Sequence, residues 1–284
     1  MSEKKTLMDL IGDIDRRVVF GFLFLALVGP LIISIPLPLP VTGFVKQYHE
    51  FLESIPAGAV VGFDVELTGA TDPQLGPDLT LVFIQLFRRD VKSVIWCMTA
   101  ESPVFATNAI NNALKTLGEK GATKKYGVDW VELGYIAGTE TGLTALMTGI
   151  RQVISKDMYG KALDDLPAMK NVNTGKDFYA VIWHSGSAGS VPYGIRQING
   201  RFGTPMLVAV TSNEFPLYVT YLAAGQIRGL IGGARGAAEH ETLMKTAGLA
   251  TAQTSALALG GVVILAMLLL GNISYLDKRR RQRK

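Results

Sequence analysis

Cysteine and histidine are scarce in this sequence. One cysteine, Cys97, occurs among 284 residues, together with three histidines at positions 49, 184 and 240. A single thiol excludes an internal disulfide and cannot assemble a cysteine-based zinc site or an iron–sulfur site. The histidines are far apart in the sequence, which argues against a histidine-rich metal site. We therefore expect no metal and no other cofactor, and a domain held together by its apolar core.

Sequence signatures of nucleotide binding and of one large hydrolase class are also missing. Neither G-x-x-x-x-G-K-[ST] nor G-x-G-x-x-G occurs in the sequence. No motif therefore specifically indicates a glycine-rich loop that binds nucleotide phosphates. The G-x-S-x-G pattern of a nucleophile elbow is absent as well.

Charge is unevenly distributed along the chain. The formal net charge is +4, and residues 277–284 alone hold six basic residues and one acidic residue. Residues 40–253 are nearly neutral, with 18 basic and 19 acidic side chains. Because the basic excess lies only in this tail, it gives no reason to expect nucleic-acid binding.

Two long uncharged segments predict transmembrane helices. Residues 247–276 carry no charge and precede the basic tail, which is typical of a span whose end stays in the cytoplasm. Residues 18–35 are also uncharged, and no A-x-A cleavage site follows them, which favours a retained span at 18–39 over a cleaved signal peptide. Residues 1–17 place apolar side chains at helical spacing among charges, which predicts an amphipathic cytoplasmic segment.

These segments predict a topology. Arg16 and Arg17 before the first span and the basic tail after the second place both termini in the cytoplasm. The segment 40–246 would then be an extracytoplasmic domain of a cell membrane protein, inner or plasma, with the lipid bilayer as its first partner. The second span, 247–276, would include a short lead-in.

The segment 40–246 alternates short apolar runs with helical patterns. Apolar runs without period-two alternation are typical of parallel strands that are buried on both faces. We therefore predict an α/β domain with a doubly wound, mainly parallel sheet of about five strands and helices on both faces. At the level of fold this rhythm resembles half of a periplasmic sugar-binding protein or a receiver-type domain, which implies no function. The predicted strands are 59–65, 93–98, 130–135, 178–183 and 205–210, and the predicted helices are 45–52, 77–87, 102–117, 139–154, 190–198 and 216–231.

Small residues recur at a spacing of four in two places. On a helix this spacing puts them on one face, where another backbone can approach closely. We expect the second span to pack in this way against Gly21 or Gly29 of the first. For the glycines of the domain, the alternative is a glycine turn between two helices. The predicted helix-packing residues are Gly225, Gly229, Gly233, Ala256 and Gly260.

Polar side chains follow each predicted strand. In open parallel sheets, ligands bind beyond the carboxyl ends of the strands, where loops and helix N-termini meet. The polar residues there suit a small hydroxylated ligand or a cation, although helix capping would also explain them. The candidate ligand-binding residues are Glu66, Thr99, Thr139, Glu140, His184, Ser185, Ser187, Asn213 and Glu214.

His184 and Ser187 lie in the fourth of these loops and allow a hydrolase hypothesis. His184 would act as base and Ser187 as nucleophile, with a glutamate to orient the histidine. A histidine at the end of a buried strand is more often structural.

Three functions are compatible with the sequence. We favour a non-catalytic two-pass membrane protein whose domain is an assembly or partner-binding subunit, as a homo-oligomer or with other membrane-complex subunits. The alternatives are a sensor-like ectodomain that binds a small polar molecule at the strand ends, and a membrane-anchored serine hydrolase.

Overall fold

The computed structural model describes residues 14–33, 39–187, 189–246 and 248–282. Its contacts divide the chain into two compact units, residues 39–246 and the two terminal segments. Most of the amphipathic segment predicted at 1–17 lies outside the described residues.

Within the described residues, six strands form one sheet in the larger unit. Every neighbouring pair is parallel, and the order is β3-β2-β1-β4-β5-β6. This is the order of a doubly wound, Rossmann-type sheet. The predicted α/β class is therefore confirmed, with one strand more than expected. The strands are β1 (Val60–Glu66), β2 (Lys92–Cys97), β3 (Trp130–Tyr135), β4 (Val181–Ser185), β5 (Met206–Val210) and β6 (Gly229–Gly232).

Eleven α-helices occur in the described part of the chain. The predicted helix at 139–154 breaks at Gly149, whose backbone is extended. The helix Ser190–Gly194 continues directly into a π-helical stretch, Ile195–Gly200. Three short 3₁₀ helices lie between α7 and β4. The helices are α1 (Arg16–Ile33), α2 (Gly43–Ser54), α3 (Asp72–Arg88), α4 (Ser102–Leu117), α5 (Glu119–Thr123), α6 (Thr139–Thr148), α7 (Ile150–Val153), α8 (Ser190–Gly194), α9 (Phe215–Ala223), α10 (Gly233–Met244) and α11 (Leu249–Gln282).

Helices cover both faces of the sheet. Side chains of α2, α3, α4 and α10 pack with Phe63 on one face. Side chains of α6, α8 and α9 pack with Trp183 on the other. Strands β4 and β5 are buried along their whole length, which explains why β5 is continuously apolar and why β4 is apolar up to His184.

The helix predicted at 216–231 is wrong beyond Ala223. The chain turns at Gly225, with φ +73°, and then enters strand β6, which contains Gly229. Gly233 also has a positive φ, +53°, and begins α10. These glycines therefore form no helical packing face, because two of them have left-handed backbone and the third is in a strand.

Gly229 instead allows β6 to approach α2. A Cβ atom on Gly229 would lie 2.5 Å from Cα of Tyr48 and 2.9 Å from Cδ2 of Leu207. Tyr48 is fully buried, so neither the α2 backbone nor its side chain has room to move aside. The last strand of the sheet is thus held against the first helix of the domain.

The terminal unit contains two helices that are long and apolar enough to cross a bilayer, α1 and α11. Only 6% and 11% of their most apolar windows are buried, which distinguishes them from core helices. They pack on each other where Gly260 of α11 meets α1: a Cβ there would lie 2.6 Å from Cδ2 of Leu27. Ala256, one turn earlier, is also buried. The expected approach to Gly21 or Gly29 is wrong, since neither glycine has such a neighbour.

We predict that Gly229→Ala destabilises the domain by about 1–3 kcal/mol, because the new methyl group overpacks the contact between β6 and α2. Urea unfolding followed by tryptophan fluorescence measures this, since Trp96, Trp130 and Trp183 all lie in the sheet strands. Gly69→Ala is the matched control, because a Cβ at Gly69 meets no atom within 4 Å. Equal stability of the two variants would contradict the packing described.

Candidate functional site

The sheet reverses its winding between β1 and β4. From β1 the chain continues through β2 and β3 toward one edge, and from β4 through β5 and β6 toward the other. The two strands are paired so that Glu66 at the end of β1 lies opposite Ser185 at the end of β4. The loops after these strands diverge here, and in open α/β sheets this is where ligands bind.

Glu66 is the centre of a polar cluster at this point. Its Oε2 accepts a hydrogen bond from Ser185 Oγ at 2.7 Å, and its Oε1 accepts one from the Tyr193 hydroxyl at 2.8 Å. The side chain is only 3% exposed. Glu66 thus accepts at both oxygens, as an ionised carboxylate does.

The loop after β4 holds the serine hydroxyls in place. Ser190 Oγ lies 2.7 Å from Ser185 Oγ and accepts a hydrogen bond from the Trp183 indole nitrogen at 3.2 Å. The backbone N–H of Ser187 donates to Ser185 Oγ at 2.9 Å. Gly194 lets α8 approach closely, because a Cβ there would lie 2.7 Å from the Trp183 ring.

Asp64 lies two residues before Glu66 and therefore on the same face of β1. It is fully buried, and its Oδ2 accepts a hydrogen bond from the Trp96 indole nitrogen at 2.7 Å. The Trp96 ring occupies the space that Gly62 leaves open, since a Cβ on Gly62 would be 2.7 Å from it. Asp64 Oδ1 is buried and has no hydrogen-bond partner among the described residues.

Glu214 contributes a third carboxyl group from the loop after β5. Its side chain is 5% exposed, and its Oε2 is buried with no hydrogen-bond partner in the described part of the chain. Burial raises the pKa of Glu214, and the charge of Glu66 raises it further. We define the switch-point cluster as Asp64, Glu66, Ser185, Ser190, Tyr193 and Glu214.

The same two causes act on Asp64 more strongly. Burial, followed by the charge of Glu66, raises the pKa of Asp64 well above its ordinary value, although the Trp96 hydrogen bond opposes the shift. Two of the three carboxyl groups therefore hold their protons more tightly than usual. Burial and the neighbouring Glu66 also raise the pKa of Tyr193, which keeps its hydroxyl a donor.

The cluster lacks a positive partner. No Lys, Arg or His among the described residues forms an ion pair with its three carboxyl groups, while ion pairs occur elsewhere in the domain. In the same residues, no group of three or more His, Cys, Asp or Glu is arranged to hold a metal ion. Chemically, the site offers acceptors and hydroxyl groups to a ligand that brings its own hydrogen-bond donors.

Several predicted site residues lie outside this cluster. Glu140 begins α6 and pairs with Arg196 Nη2 at 2.8 Å and with Gln197 Nε2 at 3.0 Å. It follows β3, two strands from β1, so it does not join Glu66 and Glu214 as expected. Three further candidates are exposed or half-exposed near their strand ends, with no side-chain hydrogen bond described: Thr99, Thr139 and Asn213.

His184 faces the opposite side of the sheet from Ser185. It is fully buried, and its Nε2 donates to Asp78 Oδ2 at 2.8 Å. Ser187, by contrast, is exposed. A buried histidine that already binds Asp78 does not supply the base that the hydrolase hypothesis requires for Ser187. The pairing of His184 with Ser187 is therefore corrected to a structural bond between His184 and Asp78.

Asp78 is bridged by two histidines. Its Oδ1 accepts from His240 Nδ1 at 2.7 Å, while His184 occupies Oδ2. Burial alone would raise the pKa of Asp78, but the hydrogen bonds from His184 and His240 outweigh it and hold the pKa at about 2. The network continues from His240 Nε2 to Gln85 Oε1 at 3.1 Å, and from Gln85 Nε2 to Glu53 at 2.6 Å. This bridge joins β4, α3 and α10.

The sequence indicates a functional role for Asp64 but gives no such indication for Tyr193. Asp64 interrupts an otherwise apolar strand, and a single acid in a buried strand is a sign of a functional or paired group. Tyr193 follows Ser190 in an ordinary helical pattern, and nothing in its spacing points to Glu66. Its contribution depends on the close approach of α8 at Gly194.

The chain was also compared with known proteins. No model of a known protein family matches it. No curated protein matches its sequence. Function is therefore inferred from the geometry of the site.

We predict that Asp64→Asn reduces the dependence of stability on pH. Because folding raises the pKa of Asp64 above its ordinary value of 3.8, its stabilising contribution is complete below that value and is lost as pH rises through the folded-state pKa. Wild-type protein should lose stability as the pH rises above about 4 and through the folded-state pKa of Asp64, and the variant should lose less. Thermal unfolding across this range measures the difference.

The exposed Glu101→Gln is the control for this experiment and should follow the wild-type curve. An unchanged pH profile in Asp64→Asn would show that Asp64 does not retain its proton in the folded state.

Proposed function

We propose that this chain is a two-span membrane protein whose α/β domain binds a small polar molecule at the switch-point cluster. The observation that carries the proposal is the buried oxygen Oε2 of Glu214, which lacks a partner in the described residues beside the charge of Glu66. Leaving a buried polar atom unsatisfied costs about 1–3 kcal/mol. Such a cost is common at binding sites, where a ligand supplies the missing partner.

The cluster favours a ligand that donates hydrogen bonds. Glu214 and Asp64 each offer a buried carboxyl oxygen that has no partner among the described residues, and no described cation forms an ion pair with them or with Glu66. An ammonium group would supply both a positive charge and three donors, and the hydroxyl groups of a polyol would supply donors alone. An anionic ligand would be repelled by Glu66. The ligand class is therefore a small amine or a hydroxylated molecule.

An assembly role remains a prediction beside this proposal. The glycines of the domain that the sequence predicts as a helix-packing face lie in a turn (Gly225), in strand β6 (Gly229) and at the start of α10 (Gly233), so they do not support that role. The pairing of α1 with α11 at Gly260 supports a two-helix base, which would suit either a tethered binding domain or a subunit of a complex.

We predict that small amines or polyols raise the thermal unfolding temperature of the detergent-solubilised full chain. The probes are ethanolamine, glycerol and glucose. Glu66→Gln should weaken binding about tenfold or more, because it removes the charge that the ligand contacts. Glu214→Gln should also weaken it, since the variant loses a carboxyl acceptor but keeps the shape of the side chain.

Glu101→Gln is the matched control, because Glu101 follows the adjacent strand β2 and is exposed. Its binding should equal that of wild type. If no probe stabilises the wild-type chain, or if Glu66→Gln binds equally well, the cluster is not the binding site.

For the topology, we propose that both termini are cytoplasmic and that residues 40–246 are extracytoplasmic. The basic residues of the tail after α11 support this orientation by the positive-inside rule. In the inverted alternative the domain faces the cytoplasm.

Cysteine labelling tests this topology. Cys97 is 1% exposed, and burial raises the pKa of its thiol, so the natural cysteine should not react. We predict that Glu101→Cys is labelled by a membrane-impermeant maleimide on intact cells, whereas Gln282→Cys is labelled only after permeabilisation. The reverse pattern would establish the inverted orientation.

A further inference from the structure

A cavity opens near the β6 edge of the sheet, away from the switch-point cluster. It has a volume of about 250 Å³ and lies between the start of α2, the loop after β5 and the first turns of α10. None of the residues that line it belongs to the switch-point cluster. Ser212 and Phe215, which flank Glu214 in the chain, form part of its wall, so the two sites share one loop.

Most of the cavity wall is apolar. Phe44 and Phe215 meet edge to face there, with ring centroids 5.4 Å apart and planes at 83°. Val45 lines the wall beside them. Gly232 keeps the Phe215 ring close to the end of β6, because a Cβ on Gly232 would lie 2.5 Å from that ring. A flat apolar group would therefore be in contact with aromatic side chains.

Glu239 and Arg235 form the polar end of the cavity. The Glu239 side chain is 2% exposed, and both of its oxygens are occupied. Oε2 accepts from the backbone N–H of Thr42 at 2.8 Å and from the Thr42 hydroxyl at 2.7 Å. Oε1 accepts from Arg235 Nε at 3.2 Å. A cationic ligand would find no unoccupied oxygen on Glu239.

Arg235 has hydrogen-bond donors that no described residue uses. Only its Nε is used in the pair with Glu239, and its two terminal amino groups have no partner among the residues that the structure describes. The side chain is 62% exposed, so these groups are open to a ligand. Arg235 lies in the first turn of α10, a helix of 12 residues, and the N-terminal end of a helix also favours negative charge.

We propose that this cavity binds a small organic acid, with its apolar body against Phe44 and Phe215 and its carboxylate or phosphate on the terminal amino groups of Arg235. Hydrogen-bonding capacity decides the chemistry of the ligand, since both oxygens of Glu239 are occupied whereas the terminal amino groups of Arg235 remain available as donors. The volume of the cavity limits the size of the ligand. At about 250 Å³ the cavity is smaller than sites for drug-sized ligands, which have about 300–1,000 Å³. The site is independent of the function proposed for the switch-point cluster.

Fluorine NMR with 4-fluorobenzoate tests the proposal on the detergent-solubilised full chain. The probe carries a flat ring and one carboxylate, and its signal should broaden and shift on binding. Arg235→Gln should weaken binding about tenfold or more, because it removes the charged donors. Arg235→Lys should restore only part of the affinity, since an ammonium group cannot bind a carboxylate with two parallel hydrogen bonds.

Arg228→Gln is the matched control, because Arg228 is an exposed arginine of the same domain that does not line the cavity. Its affinity should equal that of wild type, and empty micelles should leave the probe signal unchanged. Equal binding of 4-fluorobenzoate to Arg235→Gln, or no binding to wild type, would overturn the proposal. Equal binding of 4-fluorobenzyl alcohol would overturn the role of the acid group.

A lipid headgroup could present the same anionic chemistry. Titrations in phosphatidylcholine nanodiscs with and without phosphatidylserine separate the two sources. Unchanged binding of 4-fluorobenzoate supports a soluble acid. Loss of binding when phosphatidylserine is present would overturn this assignment, because the headgroup would then occupy Arg235.

Discussion

The pairing of β1 with β4 is the constraint on which the rest of the domain depends. Each half of the sheet winds outward from it, so this is where the two halves are joined by backbone hydrogen bonds. The register brings Glu66 opposite Ser185 and so sets the hydrogen bond at the centre of the cluster. A slip of one residue would place Ser185 on the other face of the sheet.

The buried acidic side chains on the two faces of the sheet differ in their hydrogen-bond partners. On one face, Asp78 is held as a charged group by two histidines and needs nothing more. On the other, burial and the neighbouring Glu66 raise the pKa of both Asp64 and Glu214, and each leaves an oxygen without a partner in the described residues. In the first arrangement both oxygens of Asp78 are occupied, and the atom left without a partner in the described residues is Nδ1 of His184. The second has unused capacity for hydrogen bonds, which is the physical basis for assigning ligand binding to that face.

The α/β class could be predicted because strands buried on both faces, such as β5, leave continuous apolar runs. Strand β6 could not be predicted. It has only four residues, and their apolar spacing is also that of the end of a helix. Glu66 and Ser185 were candidates because both end a strand. Neither the contact of Tyr193 with Glu66 nor the isolation of Glu140 could be predicted. The first depends on the close approach of α8 at Gly194 and the second on strand order, and neither has a local signature in the sequence.

The bridge at Asp78 also orders the assembly of the domain in time. His184 follows Asp78 by 106 residues, and His240 follows it by 162. During synthesis, an early collapse of β1 and α3 would bury Asp78 before either partner had been translated, at the cost of desolvating an unpaired carboxylate. The complete bridge can form only after α10 has been synthesised. Closure of the domain around Asp78 therefore needs a residue from the last helix of the α/β unit, and the N-terminal half of that unit cannot complete it alone.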